Sequence, residues 1–284
     1  MSSSVKIESC EPFLRWAGGK SWLLPKWQGM IKGLKFKNYY EPFVGGGTTF
    51  FSLPGSHKCF IADLNQELII TYQMIMKNPD DVIRALKRMR NTETDYYDIR
   101  GRKCRNDSTR AARFIYLNQT SYNGLYRVNK KGEYNVPYGF RKEWHYDYDR
   151  ILNASVIMKA NNTQISCCDF AKSLSSVKAE DLVFLDPPYT VSTGSGNGFI
   201  EYNEKIFSLD DQRRLCECIT DIKTKGAYYV LTNAAHPTLR KIFDANGDEC
   251  KIVRRQSLIG GKNARRGLVK EFIYTNIPGG IENG

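Results

Sequence analysis

Histidine is scarce in this chain. Three histidines stand among 284 residues, and none of the eight cysteines forms a C-x-x-C pair. Zinc sites draw on such pairs, so no metal site is expected. Cys167 and Cys168 alternate faces in a strand-like run, while Cys216 and Cys218 sit in a helical pattern. Reduced, mostly buried thiols without disulfides are the expected state. No run approaches the ~18 apolar residues of a membrane span. The opening MSSSVKIESC also lacks the apolar stretch of a signal peptide. A cytoplasmic protein with no membrane partner is expected. Repeats and low-complexity tracts are absent. Negative charge is also in deficit, with 30 Asp and Glu against 42 Lys and Arg, for a net charge of +12. That excess favours a polyanionic partner, nucleic acid first and an anionic membrane surface second.

What is present alternates. NYYEPFVGGGTTFFSL (38–53) carries an apolar strand into a glycine turn that opens toward a helix. HKCFIAD (57–63) is a second strand ending on Asp63, and LNQELIITYQMIMKN (64–78) has helical periodicity. Such a β-turn-α-β unit predicts the start of a doubly wound, Rossmann-like α/β sheet. From 65 to 155 the texture changes to basic helical segments, followed by NGLYRVNKKGEYNVPYG (123–139), which reads as a hairpin closed at Lys131-Gly132. This stretch is expected to be an inserted, mostly helical lobe, with residues 1–64 and 156–284 forming the core. Strands follow at TQISCCDF, DLVFLDPPY and AYYVLTN, with a helix over 209–226, another near 237–245, and two last strands at ECKIVRRQS and VKEFIYTN. The stretch TGSGNG (193–198) reads as a mobile loop beside the site.

Three segments suggest chemistry. The Phe43–Gly47 turn lets backbone approach a ligand closely, and an acidic residue ending the next strand, Asp63, accepts from ribose hydroxyls. A tight structural turn is the competing explanation. Phe50 stands where a dinucleotide fingerprint needs its third glycine, which suits an adenosyl ligand without a pyrophosphate. FLRWAGGKS (13–21) would need glycine at Leu14 to be a P-loop, so a nucleotide triphosphatase is disfavoured. Last, VFLDPPY (183–189) ends a buried strand on Asp186 and stiffens the next two positions with Pro187 and Pro188. Asp186 and the Pro187 carbonyl are two acceptors for an exocyclic –NH₂, and Tyr189 offers a face for a ring. An amine nitrogen aimed at a methyl sulfonium needs alignment and charge complementarity more than a strong base.

Together WAGGK, EPFVGGG, IADLN, NGLYRVNKKGEYNVPYG, CDF, DPPY and KNARRGLVKEFIYTN closely resemble the DNA adenine methylase (Dam) family of S-adenosylmethionine-dependent methyltransferases, over nearly the whole chain. The resemblance implies that Trp16, Ala17, Gly18 and Lys20 bind S-adenosylmethionine, with Glu41, Pro42, Phe43, Gly45 and Gly47. It implies that Asp63 holds the ribose, Asp169 and Phe170 hold the cofactor's adenine, and Asp186 borders both ligands. Asp186, Pro187, Pro188 and Tyr189 would hold the target adenine, flipped because its amino group is unreachable inside the stack. The lobe would read DNA. Arg127 would contact a guanine, Tyr122 and Asn123 would enter near the flipped base, and Leu125 and Pro137 would touch bases. Arg15, where the family commonly has lysine, Asn135, Tyr138, Lys262 and Arg265 complete the expected DNA-binding set. For Arg127 a phosphate contact or surface salt bridge is the alternative, and for Leu125 and Pro137 plain hairpin packing.

The expected activity is therefore transfer of a methyl group to adenine N6 in double-stranded DNA, at GATC or a related site, by a monomer. RNA adenine methylation and a catalytically silent DNA-binding scaffold are the alternatives. The hairpin argues against the first, and the intact Asp-Pro-Pro-Tyr set and glycine turn against the second. Cytosine N4 methylation usually shows serine in place of Asp186.

Overall fold

The computed structural model describes residues 9–16, 18–140, 146–189, 207–256 and 268–280. Ala17, the TGSGNG stretch (193–198) read as a loop, Lys262 and Arg265 lie outside the described residues. Helices in chain order are α1 (Leu24–Ile31), α2 (Gln66–Lys77), α3 (Pro79–Leu86), α4 (Glu93–Gly101), α5 (Asp107–Thr120), α6 (Tyr148–Ala160), α7 (Phe170–Leu174), α8 (Leu209–Thr224) and α9 (Pro237–Phe243). Strands are β1 (Asn38–Glu41), β2 (Lys58–Asp63), β3 (Gln164–Cys167), β4 (Leu182–Leu185), β5 (Tyr228–Ala234), β6 (Glu249–Gln256) and β7 (Leu268–Thr275). Among the described residues no helix is long and apolar enough to cross a membrane, and no cluster of His, Cys, Asp and Glu is arranged to hold a metal.

The strands form one mixed sheet in the order β3-β2-β1-β4-β5-β7-β6. β1 pairs in parallel with β2 and β4, and β4 with β5, whereas β7 runs antiparallel to both β5 and β6. Strand order reverses between β1 and β4. The carboxyl ends of those two strands are therefore the topological switch point, where open α/β sheets bind ligands. The sequence anticipates the parallel part. The insertion of β7 between β5 and β6 follows from pairing that no single strand encodes.

By internal contacts the chain forms two compact units. The first comprises residues 22–44, 57–62 and 168–284. All four residues of β4 are buried, as expected of a strand covered on both faces. Alternation sorts its neighbours. Trp27 of α1 packs against Tyr39 and Phe184, while Tyr40, Val183 and Leu185 turn the other way into a cluster with Leu215, Ile219 and Ile222 of α8. Those α8 residues recur at helical spacing, and Ser208 with Asp211 closes a capping box at its start.

The second unit comprises residues 1–21, 45–56 and 63–167, and so contains the whole basic stretch 65–155. Asn65 caps α2, and a capping box of Asn106 and Thr109 starts α5. Rings dominate its interior. Phe13 packs edge-on to Phe51 and Tyr72, and Tyr96 meets Tyr116 and Tyr138.

Candidate active site

In the first unit the buried run of β4 delivers Asp186 to the switch point. Leu185 pairs with Leu231, so the next residue on each strand is also adjacent. The hydroxyl of Thr232, fully buried on β5, donates to Asp186 Oδ1 at 2.8 Å. Pro187 is buried and Pro188 exposed. Their rings fix φ, so the turn holds its direction without help from a ladder. Tyr189 comes next, half-buried. Burial raises the Tyr189 phenol well above its usual range, and the nearby Asp186 and Glu271 carboxylates push the same way. The phenol therefore stays protonated.

Glu271 is fully buried, and Arg255 Nε of β6 lies 2.5 Å from its Oε1. The register explains the meeting. Glu271 pairs with Val253, and Arg255, two residues on, projects from the same face.

At the end of β1, buried Glu41 accepts from the Tyr39 hydroxyl at 2.6 Å. Pro42 is buried behind it. The Phe43 ring lies 5.4 Å from Phe170 and 5.6 Å from Phe207, an apolar cluster beside the switch point. Asp169 caps α7, its Oδ1 accepting from Ala171 N at 2.9 Å and from Arg214 Nη2 at 2.9 Å. The Arg214 guanidinium also sits 4.8 Å over the Phe170 ring. One arginine thus holds both residues that the sequence nominates for an adenine.

In the second unit the glycine turn is built around Trp16. Gly45 has φ +46, and a Cβ there would stand 2.7 Å from Trp16 Nε1. Gly47 has φ +70, and a Cβ there would meet the Tyr72 hydroxyl at 2.8 Å. Glycine is required at both by conformation and by space. The Tyr72 hydroxyl donates to Gly45 O at 3.0 Å, and Gly45 N donates to Asp63 Oδ2 at 3.2 Å. Asn65 N donates to Asp63 Oδ1 at 2.9 Å. Burial raises the Asp63 carboxyl above its usual range, while backbone N–H groups of Asn65, Gly45 and Leu64 pull it back. Trp16 itself stacks with Tyr126 at 6.0 Å and Phe114 at 6.3 Å. Lys20 is buried and donates to Gly18 O at 3.0 Å.

The hairpin of this unit is narrow, with bridges at Ser121–Tyr138 and Val128–Tyr134 and a turn closed by Gly132 N to Asn129 O. Exposed Arg127 reaches across it, donating from Nε to Asn135 Oδ1 at 2.8 Å and from Nη2 to Asn135 O at 3.2 Å. Tyr122, Asn123 and Pro137 are exposed and Leu125 half-buried. Tyr138, grouped with them by sequence, is instead buried, with its hydroxyl on Asn91. The backbone of Arg15 is clamped by Asn118, which accepts from its N–H at 2.9 Å and donates to its carbonyl at 2.6 Å.

The family model of the D12 class N6 adenine-specific DNA methyltransferases matches residues 16–258. The chain belongs to this family. It is 35% identical over 275 residues to the Type II methyltransferase M1.LlaDCHI of Lactococcus lactis subsp. cremoris, covering 93% of this chain and 95% of that one. Over 287 residues it is 37% identical to the Type II methyltransferase M.MjaIII of Methanocaldococcus jannaschii, covering 93% and 96%. A DNA adenine methylase of Salmonella typhi is 29% identical over 273 residues, covering 94% and 95%. These matches run nearly end to end in all three relatives.

Sequence reasoning missed four residues placed around the candidate site: Thr232 and Arg214, which hold Asp186 and Asp169, and the Glu271–Arg255 pair. One had a visible signal. In LVKEFIYT the acid interrupts a strand otherwise ready for burial, and a carboxylate there needs a partner. The other three are ordinary until the register of the sheet is known.

Proposed function

We propose that this methyltransferase moves a methyl group from S-adenosylmethionine to N6 of an adenine flipped out of double-stranded DNA, within GATC or a related site. One observation carries the reading. Asp186 ends β4 at the switch point with one oxygen already held by Thr232, followed at once by Pro187, Pro188 and Tyr189. A braced carboxylate and a rigid carbonyl are two acceptors for the hydrogens of an amino group. Taking them up withdraws the nitrogen lone pair from ring conjugation and aims it. Tyr189 supplies the stacking face for a ring that has left the duplex.

The residues present suit an adenosyl cofactor. The glycine turn is tight enough that a side chain at Gly45 would collide with Trp16. Asp63 is a fixed carboxylate whose remaining lone pairs can accept from ribose hydroxyls. Phe170, with Phe43 behind it, offers an apolar face, and Asp169 an acceptor. Trp16, Gly18, Lys20, Glu41, Pro42 and Gly47 are the further residues proposed to bind the cofactor. S-adenosylmethionine, when bound, supplies a methyl group activated on a sulfonium. On the DNA side, the exposed Arg127 fork suits guanine O6 and N7, while Arg15, Tyr122, Asn123, Leu125, Asn135 and Pro137 fill the remaining contacts. Tyr138 supports the hairpin from inside. The stretch 65–155 is proposed as the recognition lobe, and the protein as a monomer.

The test is transfer of labelled methyl to three duplexes: one with GATC, one scrambled, and one with GATC methylated on both strands. Label on the first alone supports the reading in full. Label on the first two keeps adenine chemistry and overturns the site. No label on any, with cofactor bound, refutes the reading.

A further inference from the structure

We infer that Asn135 is a positioning residue that presents one edge of the Arg127 guanidinium to the guanine. The inference rests on the proposed guanine contact of Arg127. Arginine carries five N–H donors in one plane. Asn135 takes two of them, Nε by its side-chain Oδ1 at 2.8 Å and Nη2 by its own carbonyl at 3.2 Å. Nε and Nη2 lie along the same edge of the plane, so that edge is occupied by the protein. The parallel pair that remains is at the tip, Nη1 with the second hydrogen of Nη2. Two parallel donors are what guanine O6 and N7 accept in the major groove. Asn135 thereby fixes which edge of the fork meets the base, and its part in base reading runs through Arg127.

The hairpin explains why such a hold is needed and why Asn135 can give it. Arg127 is exposed, so packing does not fix the torsions of its long side chain. An arginine free in those torsions loses rotamer entropy when it meets a base, and one ordered beforehand loses less. Asn135 is half-buried and stands on the opposite strand, its N–H donating to Arg127 O at 3.0 Å. The two residues are therefore joined through backbone and side chain alike. The strand that carries Asn135 is itself fastened. The carbonyl of buried Val136 accepts from the Tyr96 hydroxyl at 2.8 Å and from Arg100 Nη1 at 3.1 Å, both on α4. Across the ribbon the Tyr134 hydroxyl donates to Leu125 O at 2.6 Å. A chain of short links thus ties the guanidinium to α4.

The experiment uses the full chain with S-adenosylmethionine and two duplexes, one carrying GATC and one with both G·C pairs of that site changed to A·T. The readout is the ratio of single-turnover methyl-transfer rates on the two. A shared loss of active protein cancels in that ratio, so partial misfolding does not imitate the effect. Asn135→Ala should lower the ratio roughly three- to tenfold, the worth of one hydrogen bond. Asn135→Asp keeps an acceptor for Nε and should hold the ratio near wild type. In an Arg127→Ala background, where the ratio should already be low, Asn135→Ala should change nothing further. An unchanged or higher ratio for Asn135→Ala overturns the inference. So does an equal loss in the absence of Arg127, which would make Asn135 a DNA contact in its own right, and so does a ratio for Asn135→Asp as low as that for Asn135→Ala. Failure of the underlying reading looks different, and the inference falls with it: the wild-type protein would not prefer the first duplex, or Arg127→Ala alone would keep the preference.

Discussion

Replacing Gly45 by alanine tests the glycine turn as a whole. Two costs add. An L-residue at φ +46 carries left-handed strain of roughly 1–2 kcal/mol. Its Cβ would also stand 2.7 Å from Trp16 Nε1, well inside contact distance. The indole cannot easily retreat, because Tyr126 and Phe114 stack against it. Overpacking of that kind costs a further ~1–3 kcal/mol. Gly132→Ala is the internal control. Gly132 has φ +77, but nothing lies within 4 Å of its would-be Cβ, so only the backbone strain applies. Thermal unfolding should therefore show Gly45→Ala melting well below Gly132→Ala, since each kcal/mol shifts the midpoint by about 2–4 °C in domains of this size. In a Trp16→Ala background the cost of Gly45→Ala should shrink to that of Gly132→Ala. Equal losses in the wild-type background, or an unchanged cost once the indole is gone, would refute the claim that Trp16 is seated on the turn. Cofactor affinity measured on the same proteins should fall for Gly45→Ala and not for Gly132→Ala.

Asp186→Ala should abolish methyl transfer while leaving cofactor binding intact; retained turnover would remove Asp186 from the chemistry. Thr232→Val, which conserves volume and deletes the 2.8 Å bond, should lower kcat roughly ten- to a hundredfold, and an unchanged kcat would mean Asp186 needs no brace. Arg127→Ala should relax preference at one guanine by roughly 1–3 kcal/mol in a competition between duplexes, whereas uniform weakening on every sequence would make Arg127 a phosphate contact. Burial pushes the Cys10 thiol up to about 12, against the pull of Arg150, so it is protonated until the pH approaches that value. At pH 8 roughly one molecule in 10⁴ then carries the thiolate. Alkylation followed by peptide mass spectrometry should label exposed Cys167 first and Cys10 only as the pH rises, with buried Cys59, also raised, as slow.

The elements of this methyltransferase were legible along the chain because their causes are local. An apolar run ending on Asp186, a glycine cluster after Glu41, and apolar spacing in α2 and α8 each depend on backbone geometry within a few residues. The same is true of Gly45 and Gly47, whose positive φ marks a turn that only glycine makes cheaply. Side-chain partnerships were another matter. Thr232 is 46 residues from Asp186, and it reaches that carboxylate only because β5 lies beside β4 in a particular register. Glu271 meets Arg255 only because β6 and β7 pair antiparallel in one register. Tyr138 sits in the same hairpin as Arg127, and alternation alone left its direction open until Tyr96 and Asn91 closed around it. Sequence by itself determined the strands and the turns and nominated the candidate site residues, since these arise from periodicity, conformational freedom and residue type. Tertiary structure decided which groups stand beside those candidates, since register sums over many weak strand contacts and no single segment carries it.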